Sequence, residues 1–425
     1  MKAFNTLSAA MLGIGSMVGA GIFIVIGQAG SIAGNIVWLS FVLGGIAALL
    51  SGYSLAKLAL RYPSRGGIIE YLTQEYKENV FSGGLSIMFY FAQLIALAAV
   101  AKSFGEYGAR LFGYHSVFAV NIFALGVVLT FTAINLIGAD IVAKSENIIV
   151  GIKLSVLAAF TVAALFYIHP EYLSIKEMPP ISNMFYAIGL TFFAYQGFSV
   201  ITNTVEDMQN PQKTMLKAMI LAISIVMVLY VATSIAVLGN LPLNEVIKAK
   251  DYALAEAAKP IFGNLGFKIM AITALIATAS AINATLYATA EISYTLAKKG
   301  DLPEIYEYNV FHSNEGLIIS TLIIIPLILF FNLGEITTVA ALGVLLIQGF
   351  VHAGHIFLIN ETKANKSLVA LAAVSMFGIS FLTIIYNFQN DKNIIIYLFL
   401  AFLFCFITEY LLRVFTRRVV KKQSS

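Results

Sequence analysis

Apolar segments of about 20 residues recur along the whole chain. An α-helix rises about 1.5 Å per residue, so a segment of this length crosses a hydrocarbon core about 30 Å thick. Of the 425 residues, 59% are hydrophobic and 11% are charged, whereas soluble domains contain about 25% charged residues. The sequence therefore predicts an all-α polytopic membrane protein, with residues 1–425 forming one transmembrane domain.

Twelve segments have the length and polarity of transmembrane helices. Loops on the same side of the membrane as the N-terminus carry more lysine and arginine than loops on the other side. This bias predicts that both termini are cytoplasmic. The predicted location is the plasma membrane. Segment 242–259 is predicted to be a short amphipathic helix on the outer surface. The twelve spans are approximately 6–30, 35–60, 81–108, 116–138, 145–168, 183–204, 214–239, 265–296, 317–332, 337–358, 367–388 and 392–415.

The first span contains four glycines within nine residues: Gly13, Gly15, Gly19 and Gly21. A glycine inside a helix costs about 1 kcal/mol relative to alanine, so this stretch is a weak helix near the bilayer centre. One interpretation is close helix packing through the Gly15–Gly19 face. The other is an unwound segment, which is stable in a membrane only where it is buried in protein or lines a polar cavity.

The sixth span contains a second interruption, with Gly189, Gly197 and the polar Gln196 among aromatic residues. Spans one and six lie five apart and enter the bilayer from opposite sides. Interrupted helices at corresponding positions of two halves are typical of inverted-repeat transporters with a binding site near the membrane midplane. This second interruption favours unwinding over simple packing in the first span.

The two interruptions together predict a binding site for a zwitterionic amino acid. The N-terminus of a half-helix attracts a carboxylate, and exposed carbonyl groups bind an ammonium group. Neither interruption contains a charged residue, which favours small neutral substrates. The aromatic residues could equally serve plain packing. The predicted N–H donors are Gly19, Ala20 and Gly21, and the predicted carbonyl acceptors are Met17, Phe193, Ala194 and Gln196. The side chains predicted to influence selectivity are the large Phe192, Phe193, Tyr195 and Phe198 and the polar Gln196.

Lys153 lies about nine residues inside the fifth span. A lysine at the centre of a membrane helix costs about 2.5–3.5 kcal/mol. One interpretation is that its side chain snorkels to the interface. The other is that desolvation makes this lysine able to lose and regain a proton during transport. Nearer the outer surface, the i, i+4 spacing of Lys102 and Glu106 predicts an ion pair.

The sequence offers little support for a metal site, a disulfide framework or an enzyme active site. His352 and His355 have i, i+3 spacing on the tenth span but no acidic or cysteine neighbour, so no metal site is predicted. The single cysteine, Cys405, excludes a disulfide framework within the chain. Phosphate-loop, zinc-protease and serine-hydrolase motifs are missing. We therefore expect neither an enzyme nor a bound cofactor.

Four sequence motifs resemble those of the amino acid–polyamine–organocation transporter superfamily. They are MLGIGSMVGAGIF at 11–23, FFAYQGF at 192–198, EDMQNP at 206–211 and INATLYATAEISYTLAKKGDLP at 282–303. The sequence looks most like the archaeal ApcT-type proton-coupled amino acid transporters, which have a lysine at the position of Lys153.

This resemblance implies a LeuT-like five-plus-five inverted-repeat fold with broken helices one and six. Repeat one would cover about 6–168, repeat two about 183–358, and two extra spans about 367–415. The resemblance also implies that the ammonium group of Lys153 occupies the place where related carriers bind sodium, near the Gly15 carbonyl and Ser280.

The predicted function is a secondary active transporter that imports small neutral L-amino acids together with protons by alternating access. Its predicted partners are the amino acid, protons and membrane lipid, with neither nucleic acid nor an obligatory protein partner. Two alternatives remain at this stage. One is an amino acid exchanger that needs no proton gradient, and the other is an amino acid sensor of transporter fold that does not transport.

Overall fold

The computed structural model describes residues 4–19, 21–64, 66–137, 140–174, 178–310 and 313–416. Helices account for most of this part of the chain. The α-helices are α1 Thr6–Met17, α2 Gly21–Ala33, α3 Val37–Arg61, α4 Ile68–Tyr76, α5 Val80–Leu111, α6 Val117–Ile137, α7 Asp140–Leu165, α8 Ile181–Tyr186, α9 Ile188–Ala194, α10 Pro211–Asn240, α11 Leu243–Lys248, α12 Ala253–Glu256, α13 Lys259–Lys299, α14 Glu315–Phe330, α15 Leu333–His355, α16 Ile359–Thr362, α17 Lys366–Asn390 and α18 Lys392–Thr416.

Short elements connect these helices. Two strands of two residues, β1 (Asn309–Val310) and β2 (Ser313–Asn314), pair antiparallel before α14. The 3-10 helices in the described part are Gly34–Ile36, Pro170–Leu173, Phe198–Asp207, Glu304–Glu307 and Ile356–Leu358.

The prediction of an all-α polytopic membrane protein is confirmed. In the described part of the chain, 10 helical segments are long and apolar enough to cross a membrane, and α1 and α14 are shorter apolar helices. The count of twelve spans and the inverted repeat remain predictions.

The glycine-rich stretch interrupts the first span. Helix α1 begins after Asn5, whose side chain accepts a hydrogen bond from the Ser8 N–H at 2.9 Å, and it ends at Met17. The helix starts again as α2 at Gly21. Val18 and Gly19 form a turn between the two halves, so the backbone is not helical in the middle of this span.

The sixth span is interrupted in a similar way. Helix α9 ends at Ala194, and the chain continues as the 3-10 helix Phe198–Asp207. Gly197 between them has φ of 117°, a left-handed conformation that residues with a Cβ rarely adopt. Helices α3 and α10 pack together beside the two interrupted spans, and α13 packs against α5 and α7.

The predicted amphipathic helix at 242–259 is instead two short helices, α11 and α12, separated by a turn at residues 249–252. Tertiary contacts explain the turn. The Lys250 carbonyl lies against Gly27, where a Cβ would overlap it, and the Asp251 carboxylate accepts a hydrogen bond from Gln28 Nε2. Packing against α2 therefore overrides the helical periodicity of this segment.

The predicted ion pair of Lys102 with Glu106 is wrong. Lys102 Nζ donates to Asn121 Oδ1 on α6 at 2.7 Å. Glu106 pairs instead with Arg110, at 3.4 Å between Oε2 and Nη2. Arg110 is also four residues from Glu106, so the helical spacing fits both Lys102 and Arg110 as its partner. The hydrogen bond of Lys102 to α6 leaves Arg110 to pair with Glu106.

Candidate functional site

The two interruptions lie directly against each other. Gly21, at the start of α2, faces the Ala194 carbonyl so closely that a Cβ would overlap it. Gly197 lies against the end of α1, where a Cβ would be 2.9 Å from the Ser16 carbonyl carbon and 3.0 Å from the Met17 nitrogen. Glycine is needed at both positions because another backbone approaches where a side chain would begin. The four half-helices therefore converge on one place.

The Met17 and Ala194 carbonyls share a donor that the sequence analysis did not find. The Tyr230 hydroxyl donates to Met17 O at 2.7 Å and lies 3.3 Å from Ala194 O. Tyr230 is fully buried on α10. In the sequence it is the single tyrosine of its span, and a buried tyrosine hydroxyl requires a partner. This side chain links the interruption in the first span to the one in the sixth.

The remaining predicted backbone groups differ in how they are bonded. Phe193 O accepts a hydrogen bond from Gln196 N at 3.0 Å. Gln196 O receives no backbone hydrogen bond from the described residues, so it is the more available acceptor. Gly19 N is 3.4 Å from Ser16 O, a long contact. Ala20 lies outside the described residues.

Two predicted side chains point in different directions. The Tyr195 hydroxyl donates to Phe41 O on α3 at 2.8 Å, and its ring lies 5.3 Å from that of Tyr230. Tyr195 therefore joins the sixth span to α3. The Gln196 side chain faces α15, where its Oε1 accepts from Gln348 Nε2 at 3.3 Å.

Lys153 reaches the first interruption from α7. Its side chain is 1% exposed, and its Nζ donates to the Gly15 carbonyl at 2.9 Å. Val150, one turn earlier on α7, fills the space beside Gly15, where a Cβ would be 2.8 Å from Val150 Cγ2. The lysine side chain thus extends into the protein towards α1.

Helix α13 closes the other side of this region. Ser280 is buried on α13, and the next residue, Ala281, faces Gly19, where a Cβ would be 3.2 Å from the Ala281 Cβ. The structure thus brings Lys153 and Gly15 into contact and places Ser280 on the helix that covers the same turn. The described residues include no group of three or more histidine, cysteine, aspartate or glutamate side chains that could hold a metal.

Helix α2 is covered by the loop that carries α11 and α12. Gln28 Nε2 donates to Asp251, and the Tyr107 hydroxyl on α5 donates to Phe23 O at 3.0 Å. Burial raises the pKa of the Asp251 carboxyl, and Lys250, Arg110 and the Gln28 hydrogen bond partly offset this effect. This polar contact joins α2 to the loop between α11 and α12.

Comparison with known proteins matches the sequence to a family of amino acid permeases. The family model described as amino acid permease matches residues 4–415. The chain is 36% identical to the uncharacterized protein MJ0609 of Methanocaldococcus jannaschii, over 98% of this chain and 97% of that protein. It is 33% identical to the inner membrane transport protein YbaT of Escherichia coli, over 86% of each chain. It is also 27% identical to the serine/threonine exchanger SteT of Bacillus subtilis, over 71% of this chain and 69% of that protein. The chain therefore belongs to the amino acid permease family, within the amino acid–polyamine–organocation superfamily.

Proposed function

We propose that this protein is a secondary active transporter that imports small neutral L-amino acids together with protons across the plasma membrane. The hydrogen bond from buried Lys153 to the Gly15 carbonyl at 2.9 Å carries the proposal. It connects a fully buried lysine on α7 to the interrupted backbone of the first span.

The position of Gly15 explains how a charged lysine is stabilised next to it. Gly15 lies in the last turn of α1, and the C-terminal end of a helix carries partial negative charge. A protonated Lys153 is therefore attracted to this end. Loss of the proton weakens the attraction, because hydrogen bonds from charged donors are about twice as strong as neutral ones. Proton release towards the cytoplasm would thus loosen α1 and open the inner pathway.

The substrate would lie between two half-helix ends of opposite partial charge, the C-terminus of α1 and the N-terminus of α2. The N-terminus of α2 at Gly21 offers N–H groups and partial positive charge to a carboxylate. The Met17 and Gln196 carbonyls would accept from an ammonium group, Met17 through the lone pair that Tyr230 leaves unused. An α-amino acid carries both groups on one carbon, so a single molecule satisfies both ends.

The test is uptake by the purified protein in lipid vesicles. Labelled neutral, acidic and basic amino acids are offered with and without an inward proton gradient. The proposal expects neutral amino acids to accumulate only when the gradient is present, and an ionophore that collapses the gradient to abolish accumulation. Accumulation that is indifferent to the gradient contradicts proton coupling.

Exchange is the second candidate, because one relative is named a serine/threonine exchanger. In the same vesicles, an exchanger takes up labelled amino acid only when unlabelled amino acid is present inside. A proton-coupled importer takes it up into empty vesicles. Binding without uptake under either condition would indicate a sensor.

A further inference from the structure

A continuous chain of buried hydrogen bonds connects Gln196 to the end of α15. Gln348 Nε2 donates to Gln196 Oε1 at 3.3 Å, and Ser51 Oγ donates to Gln348 Oε1 at 2.7 Å. His352 continues the chain, with Nε2 2.8 Å from Ser51 Oγ and Nδ1 2.9 Å from Ser54 Oγ.

The chain then passes to α16. Ser54 Oγ is 2.8 Å from His355 Nδ1, and His355 Nε2 is 2.9 Å from Thr362 Oγ1. Gln348, both serines and both histidines are fully buried. Thr362 is the outermost member, and its neighbour Glu361 is exposed.

With Gln348 Nε2 as the donor to Gln196 Oε1, the directions of the bonds between Gln196 and His355 follow. Ser51 gives its only hydrogen to Gln348, so its oxygen must accept from His352 Nε2–H. A neutral His352 then accepts at Nδ1 from Ser54, and Ser54 accepts from His355 Nδ1–H. Thr362 Oγ1 lies 2.9 Å from His355 Nε2 and also donates to Leu358 O at 3.1 Å. The five bonds from His355 inwards therefore all point towards Gln196.

The two glutamines show that this chain orients groups and does not conduct protons. A serine or a neutral histidine can pass a proton on, since each both donates and accepts. A carboxamide oxygen that receives a proton has no easy way to pass it further. The consequence of the chain is therefore the fixed orientation of the amide at its inner end.

Gln196 has one polar atom that nothing in the described residues satisfies. Its Nε2 is buried and has no hydrogen-bond partner, while its Oε1 is held by Gln348. Gln196 lies between Ala194, which faces Gly21, and Gly197, which faces Ser16. A buried donor without a partner in a native protein calls for a ligand or water. This donor belongs to a residue whose backbone lies between the two contacts that join the sixth span to both halves of the first span.

We infer that the Ser51–His352–Ser54–His355 chain holds the Gln196 amide with its hydrogens towards the binding site, and so selects neutral amino acids whose side chain carries an acceptor oxygen. This inference rests on the proposed amino acid transport and adds the class of side chain. Gln348 and the members of the chain are positioning residues. Gln196 is the residue that contacts the substrate.

The test compares two substrates of equal shape. O-methyl-L-serine has an ether oxygen where L-norvaline has a methylene, and it can accept but not donate. The wild-type protein in vesicles should have a half-maximal concentration about two- to tenfold lower for O-methylserine, the ratio that one neutral hydrogen bond gives. Equal values, or a preference for norvaline, would overturn the inference even if both are transported.

Variants separate orientation from packing. Ser51→Ala removes the donor that orients Gln348, and we expect the substrate ratio to fall towards one. Ser40→Ala is the matched control, because Ser40 is equally buried on α3 but donates to Met184 O, away from the chain. A Ser51→Ala ratio equal to that of Ser40→Ala contradicts a role of the chain. If the wild-type protein takes up no amino acid, the proposed function fails, and the inference falls with it.

Discussion

The two halves of the first span, α1 and α2, differ sharply in how they are enclosed. Ten of the 13 residues of α2 are buried, against six of the 12 residues of α1. On α1, Leu7 is 63% exposed and Met11 is 41% exposed, and they lie four residues apart on one helix face. One half is therefore packed like a core helix, and the other has an open face.

The contacts of the two halves differ in the same way. Helix α2 is held along its length by the loop of α11 and α12 and by Tyr107. Helix α1 packs against α10 and against the 3-10 helix Phe198–Asp207. Its hydrogen bonds to other elements lie near its two ends. At the start, Phe4 exchanges backbone hydrogen bonds with Asp207 and Gln209, and in the last turn Lys153 binds Gly15 O and Tyr230 binds Met17 O. We therefore expect α1 to be the half that moves during transport, with Lys153 controlling the end of α1 that contains Gly15.

The largest effect is expected from Gly27→Ala. A Cβ at this position would overlap the Lys250 carbonyl, and a backbone group cannot rotate away as a side chain can. Overpacking of this kind costs about 1–3 kcal/mol, so we expect a clearly lower midpoint of thermal unfolding and loss of uptake. Gly126→Ala on α6 is the control, because a Cβ there has no neighbour within 4 Å. A Gly27→Ala protein as stable and active as this control would show that the loop does not clamp α2.

A smaller effect is expected on the α1 side from Gly15→Ala. The new Cβ meets Val150 Cγ2 at 2.8 Å, which separates α1 from α7 and lengthens the Lys153 hydrogen bond. Gradient-driven uptake should fall by about tenfold, with exchange less affected. The double variant Gly15→Ala/Val150→Ala removes the clash and should recover most of the activity. Failure of this rescue would contradict the assigned cause, and Gly151→Ala, which meets nothing within 4 Å, controls for added bulk.

Tyrosine hydroxyls give a paired test of the two halves. Tyr230→Phe removes the donor to Met17 O at the end of α1, and Tyr107→Phe removes the donor to Phe23 O in α2. Each loss should cost about 1 kcal/mol of stability. Only Tyr230→Phe should also change the half-maximal substrate concentration, by about fivefold, because Met17 O faces the proposed ammonium. Equal substrate affinities in the two variants would remove Met17 from the site.

The smallest effect concerns Asp251, which is outside the membrane spans. Burial raises its pKa above the ordinary value of 3.8, so the ionised form is the costly one in the folded protein. Stability should decrease as the pH rises through the interval between the ordinary and the raised pKa, and increase on acidification. Asp251→Asn should remove this dependence, a change of about 1 °C in the unfolding midpoint. Glu245→Gln, in an exposed pair with Lys248, should leave the dependence intact.

Sequence alone predicted the elements whose signals are local. Long apolar runs located the helices to within a few residues, and Gly19, Gly21 and Gly197 located both interruptions because these glycines permit close backbone contact. The interaction of Lys153 with Gly15 was expected only from a family resemblance. Contacts between distant segments had no local signal. Tyr230, the turn that breaks 242–259 into two helices, and the choice of Arg110 as the partner of Glu106 all depend on neighbours that periodicity does not identify.

The most direct test of the central claim is to measure exchange and gradient-driven accumulation side by side in Lys153→Ala. Lys102→Ala is the control, because Lys102 is another buried lysine but binds Asn121 on α6. The account predicts that Lys153→Ala still exchanges internal for external amino acid but no longer accumulates it when an inward proton gradient is imposed, while Lys102→Ala retains both activities. Accumulation by Lys153→Ala to the wild-type level under the same gradient would contradict the account.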